Sequence, residues 1–283
     1  MNYDPQAISA VCDSPDLAVS IFRSVCHIQP GGDRIQLLYA IADGFSKIPY
    51  ENVTKILKQY FYSDSEQRLR GAVELLEGYR DHGTGGTCFS LVHCLRSILD
   101  GYGFTSYIVM ADMHHERDIH CAIMVKLDAV KVLLDPGYLI PYPVFLPPPG
   151  GFVRSRNYMN RVEYRRSLCG SFVDLYTVSS TKVVWRYRLK DQQVSDEQFL
   201  HFWQRSFGLN MMNSMVITKA DDRGQIYLHN DRLRLIRYES KVNRRLKDNL
   251  ESQVSALFGI SSDLIRSARE LIEDKRHKGE KEC

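Results

Sequence analysis

Apolar positions recur at helical spacing through roughly the first 80 residues. Leu37, Leu38, Ile41 and Phe45 fall along one helical face, and Val73, Leu75 and Leu76 do so in a later segment. Pro30-Gly31-Gly32 and Ile48-Pro49-Tyr50 punctuate the region. A further helix is expected from Cys88 to about Leu99. Phe89, Val92, Leu95 and Leu99 would line its buried face, and Asp100-Gly101 would end it.

The pattern then changes. Thr105 to Met110 is rich in strand formers. Ile119 to Leu127 and Val130 to Leu134 are two β-type runs around a turn near Asp128, which predicts a hairpin. A proline-dense loop follows, through Pro136, Pro141, Pro143 and Pro147-Pro148-Pro149-Gly150. It is too poor in donors for a central strand. Strand-like stretches resume from Phe152 to Leu189, including Val162 to Tyr164 and Val183 to Leu189.

The last third mixes both periods. Asp196 to Phe207 predicts a helix with Phe199, Phe202, Trp203 and Phe207 on a core-facing stripe. Met215 to Thr218 and Ile226 to His229 flank Asp221-Asp222-Arg223-Gly224, a hairpin signal. Two helices are expected near Lys241 to Phe258 and Ser262 to Glu273, with a frayed charged tail from Asp274 to Cys283.

Composition narrows the class. A chain of 283 residues can bury a sizeable core and form two or three packed lobes. Apolar residues make up 44% and charged residues 25%, as in a soluble globular protein. A net charge of +3 gives no reason to expect nucleic acid or a membrane as partner. No apolar run approaches the roughly 18 residues of a membrane span. The seven cysteines are odd in number and show neither disulfide nor zinc spacing. Met1-Asn2-Tyr3-Asp4-Pro5 carries no signal pattern, so a reducing, cytoplasmic setting is expected.

Candidate chemistry concentrates on Cys88. It follows Gly83-Thr84-Gly85-Gly86-Thr87 and opens a predicted helix, where dipole and free amides favour a thiolate. His120 and Asp135 lie on the two arms of the predicted hairpin. A turn centred on Asp128-Ala129 sets His120 opposite Gly137 and Asp135 opposite Ala122. The two then share a face as diagonal neighbours, about 7–8 Å apart at the backbone. A histidine there can take a thiol proton, and an aspartate can orient the histidine.

Each residue also has a plainer reading. A helical cysteine is usually a small core residue, and an aspartate before Pro-Gly is often a turn former. His93, His114 and His115 compete with His120. His114, His115, Glu116 and His120 do not match the spacing of a helical zinc motif, and no metal site is expected. Arg154, Arg156, Arg161, Arg165 and Arg166 read first as a solvated strand face, and second as a phosphate contact. Arg244-Arg245-Leu246-Lys247 reads as an exposed helical face.

Several blocks, in order along nearly the whole chain, resemble the arylamine N-acetyltransferase family. Pro49-Tyr50-Glu51-Asn52-Val53 is similar to its Pro-Phe-Glu-Asn-Leu, and Gly85-Gly86-Thr87-Cys88-Phe89 to its Arg-Gly-Gly-x-Cys segment. Ile119-His120 and Leu134-Asp135-Pro136-Gly137-Tyr138 resemble its histidine strand and Asp-Val-Gly-Phe-Gly. Asn213-Ser214 to Val216, Gly224-Gln225-Ile226-Tyr227-Leu228 and Leu257-Phe258-Gly259-Ile260 resemble its third-domain strands and closing helix.

The resemblance implies an α+β fold: an N-terminal helical bundle over 1–85, a nucleophile helix and central antiparallel β-barrel over 86–190, and a C-terminal α/β lid over 191–283. It implies a papain- or transglutaminase-type core and ping-pong transfer through an acyl-cysteine thioester. Cys88 would be the nucleophile, His120 the base and later acid, and Asp135 the orienter. Tyr138 matches an aromatic residue lining the acceptor pocket, and Leu139 borders the thioester approach. The donor would be acetyl-CoA or another acyl thioester, used as co-substrate without a permanently bound cofactor. The acceptor would be a small amine, arylamine or hydrazine.

The surroundings depart from the family. Its arginine before Gly-Gly is Thr84 here, so Glu51 is expected to lack its usual partner. Ser90, Val92 and Pro136 also differ, and its last glycine is Leu139. Alternatives therefore stay open: an amide synthase taking acyl chains from a carrier protein, a thiol hydrolase or peptidase, and a binding protein without turnover.

Overall fold

The first helices start where side chains satisfy free amides. Ser14 Oγ accepts from the Leu17 amide at 3.4 Å and opens α1 (Pro15–Cys26), and Asp33 accepts from Gln36 at 2.8 Å and opens α2 (Arg34–Phe45). A two-residue strand β1 (Tyr50–Glu51) precedes α3 (Val53–Phe61), α4 (Ala72–His82) and α5 (Cys88–Gly101). The computed structural model describes residues 14–28, 32–114, 116–157, 160–179, 181–221, 224–237 and 240–279. Met1 to Cys12, Pro30-Gly31, His115, Asp222-Arg223 and Cys283 therefore lie outside the described residues.

Helix α5 is the hinge between helical and β structure. Its apolar residues are not confined to one stripe: Leu91, Val92, Leu95, Ile98 and Leu99 are all 2% exposed or less. A helix buried that widely must be packed on several sides. It meets α1 and α4 on one flank and the β structure on the other. Each such side chain contributes about 1.5–3 kcal/mol relative to exposure.

The next strands are β2 (Ser106–Met113), β3 (Glu116–Leu127), β4 (Val130–Leu134), β5 (Val144–Phe145), β6 (Phe152–Asn157), β7 (Asn160–Arg166), β8 (Phe172–Val178) and β9 (Val183–Gln193). They form one antiparallel sheet in the order β5-β4-β3-β2-β9-β8-β7-β6. It curls round its own apolar core, which includes Val109, Met124, Tyr164, Leu175 and Tyr187. Among the described residues its end strands β5 and β6 do not pair, so it is an open half-barrel.

Helix α6 (Asp196–Arg205) opens on a capping box at Ser195 and Gln198. Strands β10 (Val216–Asp221), β11 (Gly224–His229), β12 (Arg232–Arg237) and β13 (Ser240–Arg245) join β1 in a second sheet, ordered β1-β10-β11-β12-β13. The chain ends in α7 (Leu250–Phe258) and α8 (Ser262–Gly279). The expected α+β architecture of helical bundle, curled antiparallel β unit and C-terminal α/β part is present. The C-terminal part shares one continuous core with the bundle, through Ile217, Leu228, Val254, Phe258 and Ile265.

Two expectations fail. Lys241 to Arg245 is strand, not helix, so Arg244 and Arg245 belong to an exposed sheet edge. Val242, Leu246, Leu250 and Val254 recur every fourth residue, which imitates a helix across a break. The break is Asn249, whose φ of 50° precedes α7. The tail from Asp274 is also not frayed through Gly279, the last described residue. Lys275 Nζ donates to Gln59 Oε1 at 2.9 Å and Arg276 to the Asn213 carbonyl at 3.3 Å, which docks the final turns of α8.

Candidate active site

The segment leading into Cys88 is built by close backbone contact. Glu51 N donates to the Gly86 carbonyl at 3.0 Å, and Gly86 N to the Pro49 carbonyl at 3.3 Å. A Cβ at Gly85 would collide with the Pro49 carbonyl oxygen, so only glycine fits. Thr87, the residue before α5, makes no side-chain capping bond, unlike Ser14, Asp33 and Ser195. The first amides of α5 are thus left to the Cys88 sulfur or to a substrate oxygen.

The hairpin register is the one counted from the sequence. Leu127 pairs with Val130 and Ile123 with Leu134, so Asp135 stands just past the end of the ladder beside Ala122. His120 Nε2 lies 3.1 Å from Asp135 Oδ2, and both side chains are buried. Asp135 takes two further bonds: Tyr187 Oη donates to Oδ2 at 2.6 Å, and the Tyr138 amide to Oδ1 at 3.1 Å. With Nε2 engaged by Asp135, Nδ1 is the ring nitrogen left for the Cys88 proton. Gly137 closes the group. A Cβ there would lie 2.8 Å from both Cys88 Cβ and His120 Cε1.

Cys88 Sγ donates to the Ile119 carbonyl at 3.8 Å, and the groups around it set its ionisation. The neighbouring Cys121 thiol is the largest influence holding the Cys88 pKa well below the usual thiol range. Burial opposes this, and the His120 hydrogen bond and charge, then Lys55, add to it. Burial, followed by the Cys88 contact, pushes Cys121 well up. Burial alone would lower His120, but the Asp135 charge and hydrogen bond, with Cys88, carry it up to about 10. The arrangement favours a thiolate–imidazolium pair.

Beneath this group, Glu51 does not lack a partner. Arg70 Nη1 lies 3.7 Å from Glu51 Oε1 and also donates to the Gly85 carbonyl, while Nη2 donates to Thr84 Oγ1 at 3.0 Å. Thr54 adds its amide at 2.9 Å and its hydroxyl at 2.6 Å to the same carboxylate. The guanidinium missing at Thr84 thus arrives from the loop before α4, and Thr84 accepts a bond from it. Arg70, Tyr187 and Lys55 were not singled out in the sequence, because each reaches the site from an element remote from the Cys-His-Asp segments; Cys121 adjoins His120 on β3, where strand alternation assigns it to the opposite face.

A cleft of about 1060 Å³ opens over Gly137 and Tyr138, between the half-barrel and the face of β10 to β13. Tyr138 and Leu139 line it, as do Arg186, Arg232, Arg234, Lys241, Arg244 and Arg245, with no carboxylate among the described lining residues. Leu139 is 1% exposed and has φ 52°, a left-handed backbone at the position where the resembling motif has glycine.

The remaining candidates lie elsewhere. His114 contacts Trp185, and among the described residues no group of three metal-ligating side chains forms. Arg154 and Arg165 both bind Glu163 at 2.5 Å, and Arg166 donates to the Pro147 carbonyl at 3.1 Å. Cys26, Cys88, Cys94, Cys121 and Cys169 are free thiols. No helix among the described residues is long and apolar enough to cross a membrane.

No protein-family sequence model and no curated protein matches the chain. Solved structures do. An arylamine N-acetyltransferase from M. tuberculosis superposes with TM-score 0.74 at 15% identity, over 90% of this chain and 99% of that one. The enzyme from Mycobacterium marinum in complex with CoA gives 0.74 at 13%, over 90% and 97%. One from Bacillus cereus, with a unique Cys-His-Glu catalytic triad, gives 0.70 at 17%, over 86% and 98%. The chain thus has the arylamine N-acetyltransferase fold.

Proposed function

We propose that this protein is an acyltransferase working by a ping-pong cycle on Cys88. The observation that carries the reading is the gathering of Cys88, His120 and Asp135 against Gly137, which itself lines a cleft with a cationic wall. In the first half-reaction the Cys88 thiolate attacks an acyl thioester. The tetrahedral intermediate expels the donor thiolate, which takes the proton of the His120 imidazolium. In the second, neutral His120 takes a proton from the attacking amine, the acyl–sulfur bond breaks, and the thiolate–imidazolium pair returns. Asp135 orients the ring throughout. The Cys88 amide, free at the start of α5, is the reasonable oxyanion donor.

The donor is an acyl-CoA, acetyl-CoA by likeness to the fold's namesakes. The cationic wall suits its phosphates. The M. marinum enzyme of the same fold binds CoA. The acceptor is a small amine, arylamine or hydrazine, with Tyr138 on its side of the cleft and Leu139 beside the thioester approach. One observation supports a second donor: the fully exposed edge strand β13, with Lys241, Arg244 and Arg245, suits an acidic acyl carrier protein.

The test is intact-mass analysis of wild type and Cys88→Ala after incubation with a panel of acyl-CoAs. We expect an acyl adduct on wild type alone, discharged faster by added arylamine than by water. Equal discharge by water alone would favour a hydrolase, and no adduct with any thioester would remove the acyl-enzyme reading.

A further inference from the structure

Five charged side chains cluster under the start of α5. Glu74 holds Lys58 with both oxygens at 2.8 Å, and Arg70 lies 3.7 Å from Glu51 and from Glu74. That leaves Lys55. It is 6% exposed, and its Nζ donates to the Ser206 carbonyl at 3.1 Å and the Ser206 hydroxyl at 2.5 Å, both neutral. The ammonium sits 4.6 Å from the Phe207 ring centroid and 5.9 Å from that of Phe89, the residue after Cys88. Among the described residues no carboxylate pairs with it. An ammonium buried without a counter-ion is costly and calls for an explanation.

The site above has the opposite imbalance. A Cys88 thiolate, a His120 imidazolium and an Asp135 carboxylate sum to one negative charge, in a buried setting. We infer that Lys55 is a positioning residue whose buried ammonium supplies the counter-charge of the Cys88 thiolate from beneath the nucleophile helix. This rests on the reading of Cys88 as nucleophile. Burial lowers Lys55 to about 8, and the groups that oppose this are the Cys88 and Cys121 sulfurs. The other groups facing Cys88 do not replace it. Tyr50 on β1 is a phenol pushed well up by burial and then by Cys88, so it stays neutral. Cys121 on β3 stays a thiol. The His120 charge is shared with Asp135. Tyr138 is pushed up by burial. Lys58 and Arg70 are spoken for by Glu74 and Glu51.

The experiment follows alkylation at Cys88 against pH in the full chain, read by peptide mass because other thiols are free. Lys55→Met and Lys55→Gln should raise the acid limb by about one pH unit, roughly tenfold slower alkylation at pH values below the wild-type midpoint. Their curves should converge with wild type at alkaline pH, where the thiol is ionised and Lys55 itself loses its proton. Ser206→Ala, which removes one of the Lys55 hydrogen bonds but keeps the charge, should leave the limb in place. Coupling is reciprocal. The Lys55 ammonium, followed by nitrogen NMR, should therefore titrate about one unit lower in Cys88→Ser than in wild type, which tests the idea even if the neutral Lys55 variants fail to fold. A folded Lys55→Gln with the wild-type limb, or an unmoved Lys55 titration in Cys88→Ser, would overturn the inference while the nucleophile reading stands. A wild-type limb at the free-cysteine value of about 8.5 would overturn both.

Discussion

The Tyr187 hydroxyl and the His120 ring meet on one oxygen: both address Asp135 Oδ2, at 2.6 and 3.1 Å. The Asp135 carboxylate is thus held from β9, three strands along the sheet from β4. Tyr187→Phe removes a hydrogen bond to a charged group, worth about 1.5–3 kcal/mol. We expect denaturant unfolding to show a loss of that order, with a smaller drop in Cys88 reactivity, since His120 keeps its bond. Unchanged stability would mean that the hydroxyl does not hold Asp135.

Reactivity should follow the two shifted groups on Cys88 and His120. Cys88 is lowered, so its thiolate persists on the acid side of the ordinary thiol range. His120 is raised to about 10, so the imidazolium persists up to that pH. Acyl transfer should therefore hold between these limits. It should fall in acid as the thiolate takes a proton, and fall above about pH 10 as the imidazolium loses the one it donates. Iodoacetamide profiles of wild type and His120→Ala check the pairing. The variant should lose most of the acid-side reactivity, and superimposable curves would refute the pair.

Arg70 holds Glu51, Thr84 and the Gly85 carbonyl together. Arg70→Met would leave a buried carboxylate and a buried carbonyl without that partner, so a loss of about 3–5 kcal/mol is expected. Glu51→Gln in the same chain should recover part of it. Guanidinium unfolding of the two variants measures both. A loss under about 1 kcal/mol would show that the cluster relaxes at little expense.

Leu139 sits at the cleft with a left-handed backbone. Leu139→Gly relieves a conformational penalty of about 1–2 kcal/mol but forfeits a buried side chain worth about 1.5–3 kcal/mol. Stability should change little, while the acyl length accepted should increase. Relative acylation rates with short and long acyl-CoAs check this. If the preference does not move, Leu139 does not border the acyl path.

The site's legibility was uneven for identifiable reasons. Cys88, His120 and Asp135 are readable because one helix start and one hairpin position all three, and a hairpin's register can be counted from its turn. Asp135 and Tyr187 are 52 residues apart, on strands whose adjacency depends on how a whole sheet curls. Arg70 replaces a missing guanidinium from a different segment, so a motif comparison sees only Thr84. Lys55 reads as an ordinary member of Thr54-Lys55-Ile56-Leu57-Lys58, because sequence cannot say which face of α3 lies under the nucleophile. The charged C-terminal segments misled for a simpler reason. Periodicity does not register a single left-handed residue such as Asn249.

Strand β1 is two residues long, yet it is stitched on both sides: Glu51 to Gly86 in the loop before Cys88, and Tyr50 and Glu51 to Thr218 and Ile217 on β10. The cationic wall of the cleft and the backbone two residues before Cys88 are thus joined through the width of a single strand. A force that tilts the wall is passed through β1 to the base of α5. The C-terminal third is in that sense part of the anvil on which the cysteine rests. A chain cut back to its first 190 residues should expose Glu51 and slacken the loop, leaving a cysteine present but no longer primed.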